Sequence, residues 1–260
     1  MSNLFIKKLS LRVSLSEADQ EALREATSST ITVPSGRDLV TEGDFTDNAY
    51  IILEGFACRY KLVSNGGRSI VAYLVPGDGC DLHASILSTM VHSIMTLTEC
   101  RVAVVPYRTI KQLAAFRPNV YLALWWTVLV DELILQEWLV GVGRRSADKQ
   151  VAHFLCEVFA RLQAVGLGFE AGYRLPLSQS ELADTAGLSH VHVNRVLTDL
   201  RKAGLVEIKR KSLTVPNLDI LKNFAEFTAD YLHLPPVTSR ELPPKQLSDA
   251  TRREFEKRYS

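Results

Sequence analysis

A chain of 260 residues, 47% hydrophobic and 23% charged, is long enough to bury at least one full core and divides most naturally into one or two domains. Its 30 basic residues against 29 acidic leave a formal net charge of +1, which excludes a polybasic tail but leaves single faces free to be strongly charged. Cys58, Cys80, Cys100 and Cys156 are scattered, with neither the close pairing of a zinc or iron–sulfur site nor the density of a secreted disulfide scaffold. They read as buried free thiols of a reducing cytoplasm, and no apolar h-region before a small-residue cleavage site argues for export.

In chain order, a short helix is expected over 16–26, with Ser16 as its N-cap. Turn signals then recur at Gly36, Gly43, Gly55, Gly66-Gly67 and Gly77, and the segments 49–53, 57–63 and 69–75 between them are β-branched and aromatic. Short strands at such spacing predict an all-β sandwich or barrel, with Asn65-Gly66-Gly67 as a hairpin turn. A last strand pair, 93–98 and 101–105, closes this region before Pro106.

From residue 107 the pattern turns helical, first to Phe116 and then, with Pro118 at a favourable helix start, over a long stretch to Val142. Apolar residues cover nearly every face of that helix: Val120, Leu124, Val128, Leu135 and Trp138 on one side, Leu122, Trp126, Leu129, Leu133 and Val140 on another. Such a helix must be covered all round. The β-domain can cover one side, and the same helix of a second subunit is the simplest cover for the other, the alternative being one large monomeric core. Asp131, Glu132, Gln136 and Glu137 would be costly in lipid and argue against a membrane span. Gly141 and Gly143 are expected to interrupt the helix as a hinge, and Ser146 to cap the next helix, 147–164. After a loop at 166–172 comes the segment richest in signals, and the Pro-rich, charged 235–260 reads as a peripheral or partly disordered tail.

Residues 177–197 read LSQSELADTAGLSHVHVNRVL. Ser178 with Glu181 forms a capping box, Gly187 supplies a left-handed turn, and Ser189 caps a second helix whose inward positions are Val193, Val196, Leu197 and Leu200. Small Ala183 lets the two helices approach as a helix-turn-helix. Two short strands follow around Lys209, Arg210 and Lys211, forming a wing. From Arg195 to Lys211 the basic residues outnumber Asp199 and Glu207, which supplies the phosphate attraction that the whole-chain charge conceals.

Over 4–216 the chain resembles the Crp/Fnr family of bacterial regulators. The resemblance implies an α+β fold: an effector-type β-roll, jelly-roll-like, over 1–117, a dimerisation helix and hinge over 118–145, and a winged helix-turn-helix over 146–234. It implies a homodimer on double-stranded DNA, RNA polymerase as a partner, no membrane, and a cytoplasmic transcription regulator rather than an enzyme. The family's recognition helix commonly reads Arg-Glu-Thr-Val-x-Arg or Glu-x-x-Ser-Arg. Arg195 matches the final arginine, while His190, Val191, His192 and Asn194 replace the earlier readers. Phosphate contacts carry over to Ser178, Gln179, Ser180 and Ser189.

The family's nucleotide cassette holds a Gly-Glu pair and, further on, an Arg-Ser pair. Here Asp81-Leu82 and His92-Ser93 stand in those places, so the ribose acceptor is a leucine and the phosphate fork an imidazole. Cyclic AMP binding in the family's manner is therefore not expected. The family's N-terminal iron–sulfur cysteine cluster is absent, while His83, His92 and Cys80 leave haem or a metal open, so the effector is unidentified. An enzyme using Asp81, His83 and His92 is the rival reading, unsupported by any G-x-S-x-G, Walker or H-E-x-x-H motif. A second rival is an interaction module whose helix-turn-helix has lost DNA, against which Arg195 and the basic wing speak.

Overall fold

Asn3 accepts the backbone N–H groups of Phe5 and Ile6 and so starts α1 (Leu4–Leu9), which buries Phe5, Ile6 and Leu9. In the computed structural model, residues 3–82, 89–167, 175–209 and 212–235 are described, the side chains of 208, 209 and 212 apart. Helix α1 was not legible in the sequence, being too short to show a period. Helix α2 (Glu17–Ala26) begins at Ser16 as expected, through a reciprocal capping box with Asp19.

Eight strands follow: β1 (Thr30–Val33), β2 (Asp38–Val40), β3 (Asn48–Glu54), β4 (Ala57–Leu62), β5 (Arg68–Leu74), β6 (Gly79–Cys80), β7 (Ser93–Thr96) and β8 (Cys100–Pro106). They form two antiparallel four-stranded sheets, β1-β8-β3-β6 and β2-β7-β4-β5. Ile51, Ile52, Ile94 and Val102 are wholly buried in the roll core. The Asn65-Gly66 turn joins β4 to β5 as a hairpin, with Leu62 opposite Arg68. The expected pairing of the last two strands is corrected: β7 pairs with β2 and β4, whereas β8 pairs with β1 and β3. The chain crosses between sheets around Phe56, whose carbonyl accepts from both Leu97 and Thr98. Gly55 shapes the same crossing at φ +86°, where a Cβ would lie 2.3 Å from the Glu99 carbonyl oxygen.

Helix α3 (Tyr107–Phe116) leads into α4 (Pro118–Arg144). Gly141 and Gly143 do not interrupt α4, which runs through both and ends at the Arg145–Ser146 turn, where Arg145 is paired with Glu137 at 2.7 Å. A single glycine costs about 1 kcal/mol in a helix, which tertiary packing outweighs here. The faces of α4 also divide differently from expectation. Val120, Ala123, Leu124, Trp126, Val130 and Ile134 are buried, while Leu122, Leu129, Leu135 and Val140 are exposed. Its length and composition would allow a membrane crossing, yet α4 is a core helix packed on the roll, and its Asp131 is paired with Arg59.

Helix α5 (Ala147–Ala164) is buried on nearly all sides. It is followed by α6 (Gln179–Ala186), α7 (His190–Lys202), the ribbon β9 (Glu207–Lys209) and β10 (Ser212–Thr214), α8 (Leu218–Ala225) and a 3₁₀ turn at Asp230–Leu232. One continuous core joins the outer side of β4 and β5 (Cys58, Tyr60, Ile70, Tyr73) to α4, α5 and the C-terminal helices. A buried polar chain crosses the same junction. Arg161 on α5 pairs with Asp78 at 2.6 Å and Glu157 at 3.2 Å, Lys8 reaches Asp78 at 2.7 Å, and the Trp138 indole and Tyr231 hydroxyl donate to Glu157. Burial raises the Glu157 carboxyl; at Asp78 burial acts the same way, but Lys8 and Arg161 together hold it below the usual range.

Candidate nucleic-acid interface and effector pocket

The Ser178 hydroxyl accepts the Glu181 N–H at 3.2 Å and the Glu181 carboxylate accepts the Ser178 N–H at 2.6 Å, which starts α6 as the sequence implied. Gly187 takes φ +66° and ends it, and the Ser189 hydroxyl accepts the His192 N–H to start α7. Leu182, Ala183 and Ala186 on α6 meet Val193, Val196, Leu197 and Leu200 on α7 in the buried seam. The opposite side of α7 is open. His190, Val191, Asn194 and Arg195 are exposed, Val191 at 81%, and His192 is half-buried. The Asn194 amide donates to Gln179 Oε1 at 3.2 Å, so the second helix is braced by the start of the first. Ser178, Gln179, Ser180 and Ser189 stand at the two helix starts, where free N–H groups and the helix dipole favour anions. The wing is an antiparallel ribbon with Leu213 opposite Ile208, and Leu205, Val206, Leu213 and Val215 seat it on the core. Arg210, Lys211 and the Lys209 side chain lie outside the described residues.

Two stretches of the chain match known domains: 149–224 the Crp-like helix-turn-helix domain and 30–115 the cyclic nucleotide-binding domain. The nitrogen fixation regulation protein FixK of Bradyrhizobium diazoefficiens is 33% identical over 182 residues, covering 67% of this chain and 72% of that protein. The chain belongs to the Crp/Fnr family. The transcriptional activator protein FnrA of Stutzerimonas stutzeri is 24% identical, over 80% of this chain and 84% of its own. In fold, the structure of FixK2 from Bradyrhizobium japonicum matches with a TM-score of 0.68 at 23% identity, over 75% of this chain and 96% of that one. This Crp/Fnr regulator is a DNA-binding transcription regulator and not an enzyme.

In the roll of this Crp/Fnr regulator, the described residues around the family's anchor positions engage one another. Asp81 is 2% exposed and holds a left-handed φ of +52°. Its carboxylate lies 3.1 Å from Arg59 Nε and 2.9 Å from His92 Nε2. Arg59, itself 8% exposed, also reaches Asp131 on α4 at 3.1 Å, so one guanidinium serves two carboxylates. Leu82 is buried against Gly79, where a Cβ would come within 2.8 Å of a leucine methyl. The Ser93 hydroxyl accepts the Glu42 N–H at 2.9 Å, and His83 lies outside the described residues. A cyclic nucleotide asks for a carboxylate on its ribose and a guanidinium on its phosphate. Among the described residues, the carboxylate position is a buried leucine, and Arg59 is paired with Asp81 and Asp131. Cys80 is fully buried, and burial pushes its thiol well above the usual range.

Sequence reasoning brought Asp81, Leu82, His92 and Ser93 to one region but missed Arg59, Asp131 and the Arg161 chain. Asp131 carried the usable signal, since a carboxylate within an apolar helix needs a buried partner.

Proposed function

We propose that this regulator acts as a homodimer on an inverted-repeat DNA site and takes no cyclic AMP as effector. The exposed recognition side of α7 carries the DNA reading, because Val191 and Arg195 stand exposed on it. Ser178, Gln179, Ser180 and Ser189 bind phosphates, Arg195 reads a guanine, and His190, Val191, His192 and Asn194 face neighbouring bases. The wing's Lys209, Arg210 and Lys211 add phosphate contacts. Dimerisation is assigned to α4, on which Tyr121, Leu122, Trp125, Leu129, Leu139 and Val140 share one exposed apolar face at helical spacing. The names of relatives such as FnrA support activation, hence contact with RNA polymerase, in the cytoplasm.

The committed state of Arg59 and the burial of Leu82 support an effector other than cyclic AMP, or none, and the cysteine pattern supports no iron–sulfur cluster. Haem or another ligand is the remaining class, and a mass-spectrometric and absorbance survey of what co-purifies identifies it. Selection from random DNA tests the central reading. An inverted repeat that keeps the arginine-read guanine and lacks the family's glutamate-read cytosine is expected, since Val191 offers cytosine no acceptor. Recovery of an unaltered family half-site, bound equally by Arg195→Ala, overturns it.

A further inference from the structure

The reading helices are tied to the β-roll through α6. At the first residue of β5, Arg68 places both Nε and Nη2 on one carboxylate oxygen of Asp184, at 2.8 and 2.7 Å. Both side chains are about four-fifths to three-quarters covered, so this pair is better shielded from solvent than an ordinary surface bridge. Arg68 is held in place from the roll side, with its guanidinium over the Tyr60 ring and Nη1 3.8 Å from Met95 Sδ. One residue on, Thr185 Oγ1 lies 3.0 Å from the hydroxyl of Tyr73 at the other end of β5. Tyr73 is 1% exposed, and its ring packs 4.8 Å from Phe154 on α5 and 6.1 Å from Trp138 on α4. The next residue, Ala186, offers its carbonyl to the Gln150 side chain of α5 at 3.2 Å. Three consecutive residues of α6 are therefore pinned, two by the roll and one by α5.

These contacts leave the recognition side of α7 open, so the docked arrangement does not mask it. Because α7 is packed on α6 through a buried seam, whatever fixes α6 relative to α4 also fixes where each α7 points from the dimer axis. We propose that Arg68 and Asp184, with Tyr73 and Thr185, are positioning residues that set the half-site spacing this regulator accepts; this rests on the dimeric DNA-binding reading above. A dimer with one head on DNA presents its second head at an effective concentration governed by how narrowly that head is held. Narrow placement rewards the matching spacing and penalises others. Loosened heads lose the reward while each keeps its own contacts.

The test measures binding of the full-length protein to three sets of duplexes: a matched inverted repeat, the same repeat with about one base pair added or removed between half-sites, and a single half-site. Asp184→Ala and Arg68→Gln are each expected to weaken the matched repeat by roughly three- to tenfold, to leave the half-site unchanged, and to flatten the spacing preference. The exchanged pair Arg68→Asp with Asp184→Arg is expected to recover most of the preference. Arg68→Gln leaves the helix-turn-helix sequence intact, so it carries the test alone should Asp184→Ala disturb α6. Equal losses on half-site and full site, or a spacing profile that does not move, overturn the proposal. If the unsubstituted protein does not distinguish a full repeat from a half-site, the dimeric reading fails instead.

Discussion

Arg195 and Lys211 are both basic, yet their removal is expected to read out differently. A guanidinium bidentate to guanine carries sequence information, so Arg195→Ala should cost about 1–3 kcal/mol and relax preference at one base pair. A wing lysine on phosphate carries none, so Lys211→Ala should weaken all sequences alike and lower the salt slope by about one charge. Competition titrations over a range of salt separate the two. His153 gives a different kind of expectation. Burial against Phe227 and Tyr231, reinforced by the positive charge of Arg145 and only partly offset by Glu137, lowers its pKa to about 4. The unfolded chain binds a proton on this imidazole below its ordinary value near 6.5, while the folded chain resists until about 4. Stability from this group is therefore complete above pH 6.5 and falls as the pH drops from there to about 4. His153→Phe keeps an aromatic ring in the cluster and should flatten that part of the stability–pH curve in denaturant titrations. An unchanged difference between the two proteins across this window would sink the assignment.

At the scale of elements, α4 makes the sharpest demand, because Trp125 and Leu129 stand in water at 50% and 42% exposure near the middle of the helix. Trp125→Glu with Leu129→Glu should yield a folded monomer in light scattering, since buried charges would face their own copies across a two-fold axis. A double variant that stays dimeric places the interface elsewhere. Several elements were legible from local chemistry. Ser16, Ser178 and Ser189 cap their helices, Gly187 takes the left-handed turn, and Asn65-Gly66 closes the β4–β5 hairpin, because each acts within a few residues. The partners of β7 and β8 were not legible, since pairing across sheets depends on contacts distant in sequence. For the same reason the sequence exposed the family's vacant anchor positions at Leu82 and His92 but not Arg59, which sits on another strand. Gly141 and Gly143 misled as helix breakers because a glycine costs a helix only about 1 kcal/mol. Of the two, only Gly141 lies against α5, where a Cβ would sit 3.5 Å from the Gln150 side chain.

Over the whole molecule, roll and reading head are not beads on a hinge. A shared core and the Lys8–Asp78–Arg161–Glu157 chain bind them through α5, and Arg59 binds the roll to α4 through Asp131. Asp81 lies at the centre of this second link, against both Arg59 and His92. It stands where the family's cassette has glycine, and it keeps the left-handed backbone that glycine adopts freely and other residues adopt at a cost of roughly 1 kcal/mol. Writing the missing anchors back, Leu82→Glu with His92→Arg, should not restore nucleotide binding in calorimetry, because the new guanidinium would enter 2.9 Å territory already claimed by the Asp81 carboxylate. Adding Asp81→Gly to that pair should produce the first measurable gain. The effect of the three substitutions is thus order-dependent: the Asp81 carboxylate must leave before Leu82→Glu and His92→Arg have anything to gain.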